Sequence, residues 1–117
     1  MLYDAKGFKR IYIRPGYTDM RKGIDGLKII IANDLGLNPY EKNILYLFCG
    51  RNKSRIRGLV WEGDGFLMLQ KRLEDGRYIW PQNKEDALDL TQNQFDRLMT
   101  GFSIESSIKE VSPRSAY

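Results

Sequence analysis

The chain has 117 residues, of which 42% are hydrophobic and 29% charged, with a formal net charge of +4. This is the profile of one folded domain, large enough to bury a core without metal or disulfide support. It contains no histidine and a single cysteine, Cys49, which excludes imidazole general bases, imidazole metal ligands, an intrachain disulfide and cysteine-rich zinc sites.

In chain order, Ile11–Arg14 reads as a short strand stopped by Pro15-Gly16. Thr18 is placed to cap a helix over residues 18–35, with Met20, Ile24, Leu27, Ile31 and Leu35 on one face and Gly36 as its stop. Gly23 and Gly26 fall inside this helix, where they suggest close approach to a sheet. Asn43–Cys49 is apolar on both faces and reads as a central strand, with Cys49 a buried thiol. Arg55–Trp61 and Phe66–Leu73 are two more strands, joined as a hairpin by Glu62-Gly63-Asp64-Gly65. Asp75-Gly76 marks a turn before a further short strand, Arg77–Trp80, and the stop at Pro81. After the polar stretch Gln82–Leu90, Thr91 and Gln94 form a capping box for a second helix over 91–101, with Phe95, Leu98, Met99 and Phe102 as its apolar face. The expected fold is α+β: one domain over residues 1–102, a mainly antiparallel sheet of four to five strands with two helices, and a flexible tail over 103–117. The longest apolar runs are too short for a membrane span and the N-terminus lacks a signal-peptide core, so a cytoplasmic protein is expected.

Charge is distributed unevenly: residues 1–58 carry 12 Lys/Arg against 5 Asp/Glu, and residues 59–117 carry 7 against 10. The densest run is Arg51-Asn52-Lys53-Ser54-Arg55-Ile56-Arg57. If extended, its alternation puts Arg51, Lys53, Arg55 and Arg57 on one side, an arrangement that suits a phosphate backbone because guanidinium forks bind phosphate oxygens. Lys71, Arg72 and Arg77 would extend this patch, and Arg14, Arg21, Lys22 and Lys28 would flank it. The competing reading is a solvated loop or an edge strand kept soluble by charge. Four phosphate contacts would give a log K versus log salt slope of about −3.6. The aromatic residues Tyr12, Tyr17, Tyr46, Trp61, Tyr78 and Trp80 are mostly core by this reading, with base stacking the lesser alternative.

Metal-dependent nucleases hold their ions with two or three carboxylates, and Asp19, Asp25, Glu62, Asp64, Glu74 and Asp75 are the candidates. Asp64 with Gln70-Lys71 distantly resembles a restriction-type nuclease core, but Leu69 stands where that pattern wants an acid or amide. Asp64 is better read as a hairpin residue and Asp25 as a helical partner of Arg21. No catalytic residue, metal site or cofactor is expected.

Three segments together resemble one family. They are Thr18–Leu27 (TDMRKGIDGL), the basic strand running into Trp61-Glu62-Gly63-Asp64-Gly65, and Lys71–Pro81 (KRLEDGRYIWP). They resemble, over about residues 8–102, the small accessory protein of bacterial insertion sequences of family sixty-six, the TnpB-type product of the second open reading frame. The resemblance implies a non-enzymatic role in transposition beside a separate, larger transposase that performs strand chemistry. The expected partners are that transposase and DNA. A pure protein–protein adaptor and, less favoured, a nuclease are the competing readings.

Overall fold

The computed structural model describes residues 7–83 and 88–99. Its elements in chain order are β1 (Arg10–Tyr17), α1 (Ile24–Ile29) running into a π-helical turn (Ile30–Asp34), β2 (Ile44–Cys49), β3 (Arg55–Trp61), β4 (Phe66–Arg72), β5 (Leu88–Leu90) and α2 (Gln92–Met99). The strands form one sheet in the order β4-β3-β2-β1-β5. Three of the four pairings are antiparallel; β1 and β2 are parallel, joined by the α1 crossover. The fold is the expected α+β domain with a mainly antiparallel sheet. The parallel pair was not anticipated, although the helix between the two strands supplies the crossover that such a pair needs.

The core forms two layers, one on each side of the sheet. On one face Ile11, Ile13, Leu45, Leu47 and Ile56 pack with Trp80 and with Phe95, Leu98 and Met99 of α2. On the other, Ile44, Tyr46, Phe48 and Leu59 pack with Leu27, Ile30 and Ile31 of the α1 segment. Coverage of both faces explains why every residue of β2 is buried and apolar. Cys49 ends this strand as a buried thiol.

Several local expectations are corrected. β1 continues through Pro15-Gly16 to Tyr17, because the register jumps from Ile13↔Leu47 to Tyr17↔Cys49 in a bulge with Gly16 at φ +77°. The helix begins at Ile24 rather than at 18; Gly23 is its N-cap and offers no side-chain cap. Thr18 instead donates its backbone N–H to the Cys49 carbonyl at 2.7 Å and accepts from Arg14 at 3.1 Å through its hydroxyl. Gly26 is tight only against Lys22, and nothing lies within 4 Å of a side chain at Gly23, so neither mediates approach to the sheet. The Gly36 stop holds, at φ +66°. Arg77–Trp80 is not a strand: it runs as irregular chain with Tyr78 and Trp80 buried, and the Trp80 indole N–H donates to the Arg14 carbonyl at 2.8 Å. The polar stretch before α2 contains a strand, β5, held by three residues against β1. The Thr91/Gln94 capping box forms reciprocally, at 2.9 and 3.1 Å. The expected C-terminal tail, Gly101 and Phe102 lie outside the described residues.

Candidate nucleic-acid interface

The parallel pairing sends β1 and β2 out of the sheet at the same end, and the segments that follow them lie side by side. Open α/β sheets characteristically receive ligands beyond the carboxyl ends of their parallel strands. Here the segment after β1 and the turn between β2 and β3 enclose a cleft of about 430 Å³, whose lining includes Tyr17, Asp19, Arg21, Arg51, Ser54 and Arg55.

Local chemistry holds both walls. The Gly50–Arg55 turn is closed by the Gly50 N–H to the Arg55 carbonyl at 2.9 Å and the Lys53 N–H to the Gly50 carbonyl at 3.1 Å. Lys53 sits at φ +61°, a left-handed turn conformation. The run from Arg51 to Arg57 is therefore not extended throughout: residues 51–54 form the turn, and only from Arg55 does the strand alternate. This breaks up the expected single row of four cations.

Arg51 lies over the Tyr17 ring at 4.2 Å and donates to its hydroxyl at 2.8 Å, placing a guanidinium at the cleft mouth. Arg21 is almost fully exposed and forks onto Asp19. Its side chain and backbone N–H hold the Asp19 carboxyl well below the usual carboxylate range. Arg55 lines the cleft from the start of β3 and stands directly across from Arg72 on β4. Arg72 reaches Glu74 at 3.5 Å. Neither Arg51 nor Arg55 has an acidic partner among the described residues.

Two predicted contacts are corrected by where their donors go. Arg57 is only 9% exposed. It donates to the Met20 and Lys22 carbonyls at 2.9 and 2.8 Å and to the Gln70 amide oxygen at 2.6 and 3.1 Å. Burial, with a smaller contribution from Arg55, lowers its pKa. It acts as an internal clamp that fixes the segment carrying Asp19 and Arg21 onto the sheet. Lys71 stands opposite Ile56, on the face covered by α2, and donates to the Met99 carbonyl; burial lowers its pKa. It is therefore on the other side of the sheet from Arg55. Arg77 is exposed beside the turn, since the next residue, Tyr78, donates its N–H to the Lys53 carbonyl at 2.7 Å.

Among the flanking cations, Arg14 is tied to Asp34 at 2.9 Å, and Lys28 to Tyr40 at 3.0 Å and Asp25 at 3.4 Å. The expected Arg21–Asp25 pair does not form, because Arg21 precedes the helix and turns to Asp19. Of the aromatics, Tyr46, Tyr78 and Trp80 are core, and Tyr17 alone lines the cleft.

Among the described residues no group of three His, Cys, Asp or Glu side chains could hold a metal ion. Asp64 is at the β3–β4 hairpin tip and Glu74 follows the far end of β4. Seven residues of extended chain, roughly 24 Å, separate them, so they cannot share an ion. No helix among the described residues is long and apolar enough to cross a membrane.

Comparison with known proteins decides the family. A profile described as IS66 Orf2 like protein matches residues 9–109. The chain belongs to the IS66 Orf2-like family. It is thus grouped with accessory proteins of insertion sequences. Two proteins of Sinorhizobium fredii are similar to it, both described as uncharacterized. One, y4hO, is 35% identical over 92 residues, covering 79% of each chain. The other, y4jC, is 32% identical over 101 residues, covering 86% of this chain and 85% of its own. No solved structure matches. All three segments on which the sequence resemblance rested fall within the matched span. The first supplies one cleft wall, and the second begins in β3, whose first residue, Arg55, also lines the cleft.

Proposed function

We propose that this IS66 Orf2-like protein assists transposition without catalysing it, by contacting the phosphate backbone of DNA through the cleft at the end of β1 and β2, beside the element's larger transposase. The observation that supports this is that Arg51 and Arg55 line the same open cleft and neither forms an ion pair with a described residue, the Asp19 carboxylate in the cleft wall being held by Arg21. Bringing two uncompensated cations together gives the isolated fold nothing, whereas a phosphate oxygen between them accepts charge-assisted hydrogen bonds from both. Arg21 is the third contact, and Lys53, Arg72 and Arg77 are flanking cations. Backbone contacts of this kind position a protein without reading sequence, so specificity would come from the transposase.

The test is a titration of labelled terminal DNA from the element, and of a scrambled duplex, across a salt series. Three phosphate contacts give a log K versus log salt slope of about −2.7, roughly a 40-fold loss between 50 and 200 mM salt. Replacing both Arg51 and Arg55 by Ala brings the slope to about −0.9. Absence of binding at low salt, or binding indifferent to salt, overturns this reading and leaves the protein-only adaptor.

A further inference from the structure

The two edges of the sheet are unequal. One is β5, three residues long; the other is β4, seven residues paired to β3 without a bulge from Arg55↔Arg72 to Trp61↔Phe66. Long, regular, unbroken edges are what folded proteins usually avoid, because the outward backbone groups template pairing with another strand. β4 carries no proline, and its second and third residues, Leu67 and Met68, are 39% and 38% exposed. Its two basic residues are confined to the C-terminal end.

The hydrogen bonds at the two ends of the β3–β4 ladder fix which backbone groups face outward. Glu62 N–H donates to the Gly65 carbonyl at 2.8 Å and Leu73 N–H to the Ser54 carbonyl at 2.7 Å. Bonded and non-bonded pairs alternate in an antiparallel ladder. Gly65, Leu67, Leu69, Lys71 and Leu73 therefore bond toward β3, and Phe66, Met68, Gln70 and Arg72 present their N–H and C=O groups at the edge.

We propose that two copies of the chain join antiparallel through β4, about a two-fold axis at Met68. The segment from Asp64 to Arg72 is chemically self-complementary about that centre. Met68 meets Met68 as a bonded pair, Phe66 meets Gln70, and Leu67 meets Leu69. The exposed Asp64 of each copy stands opposite Arg72 of the other, giving two ion pairs by symmetry. Asp64 has no ion pair with any described residue of its own chain. The outward groups of Phe66, Met68 and Gln70 supply about six inter-chain backbone bonds. The result is a ten-stranded sheet with both α1 segments on one face, and the contact is isologous, so assembly closes at two. A register shifted by one residue, centred on Leu69, would set Asp64 against Glu74, an acid against an acid, and is disfavoured.

The experiment is sedimentation equilibrium of the full chain at micromolar concentrations, with no DNA present. Wild type is expected at twice its chain mass. Asp64→Arg and Arg72→Asp, each of which turns two attractive pairs into two repulsive ones, are expected to weaken association by about tenfold or more. The double variant Asp64→Arg/Arg72→Asp is expected to restore it. Met68→Lys, which sets two ammonium groups together on the axis at an exposed position, is expected to yield monomers with an unchanged circular dichroism spectrum. A monomeric wild type overturns the proposal, as does a dimer insensitive to the single reversals or a double variant that fails to recover. A wild type that is monomeric alone but binds the transposase through β4 likewise overturns it and assigns the edge to that partner.

Discussion

Replacing Arg57 separates a structural role from a DNA-contacting one. Its guanidinium reaches two backbone carbonyls, of Met20 and Lys22, and the Gln70 side chain, all uncharged acceptors. Hydrogen bonds to a charged group are each worth about 1.5–3 kcal/mol. Against the sum stands the several kcal/mol it costs to bury a guanidinium without a counter-charge, which is recovered on its removal. Arg57→Met keeps the methylene packing and loses the bonds, leaving a net destabilisation of about 2–4 kcal/mol. In a domain of this size that lowers the melting temperature by roughly 10–30 °C. Arg57→Lys keeps one donor direction and is expected to cost about half as much. Urea unfolding measures the loss. The DNA assay adds a second readout. Because Arg57 touches no phosphate and acts through the Asp19–Arg21 wall, its replacement is expected to weaken binding and to flatten the salt slope by no more than the one contact, about 0.9, that Arg21 supplies. Added to Arg21→Ala, Arg57→Met is therefore expected to leave the slope unchanged. Stability within 0.5 kcal/mol of wild type, or a double variant whose slope is shallower than that of Arg21→Ala by a further full contact, refutes the clamp.

Two further outcomes are expected. The Tyr78 hydroxyl is buried with no hydrogen-bond partner among the described residues, so Tyr78→Phe is expected to leave stability unchanged or raise it by up to about 1 kcal/mol in urea; a loss larger than that would show the hydroxyl to be bonded. Burial pushes the Cys49 thiol up to about 12 and the Tyr46 phenol to about 12. Below the unfolded-state values both states are neutral and nothing is lost. As pH rises past about 8.5 for the thiol and 10 for the phenol, the unfolded chain releases protons that the folded chain retains. Stability is therefore expected to fall between about pH 9 and 12. The urea midpoint as a function of pH reads this directly, and native Cys49 should resist a thiol reagent at pH 8 until the chain is unfolded.

The elements whose signal is local were legible in the sequence. The capping box at Thr91 and Gln94, the Gly63-bearing hairpin and the doubly apolar β2 all follow from side chains within a few residues of one another. What escaped depended on distant partners. Thr18 looks like a helix cap until Arg14 and Cys49 claim it. The short β5 carries too few residues for periodicity to register and exists because β1 offers it an edge. The cationic run was visible, but its geometry was not. The left-handed Lys53 turns the chain between Arg51 and Arg55, and the carbonyls that capture Arg57 come from more than thirty residues upstream. Arg21 was recognised only as a flank because the helix was expected to start three residues before it.

The position of β1 constrains how the chain is assembled as it emerges from the ribosome. Residues 10–17 lie between β2 and β5, and Ile11 is matched to Leu90, almost eighty residues later. The β2–β3–β4 meander has all its neighbours within one continuous stretch and is free to form early. β1, the earliest of the five described strands, by contrast waits for β5, the latest of them, before both of its flanks are occupied. Closing that span is a slow step, so β1 keeps one edge open until β5 arrives.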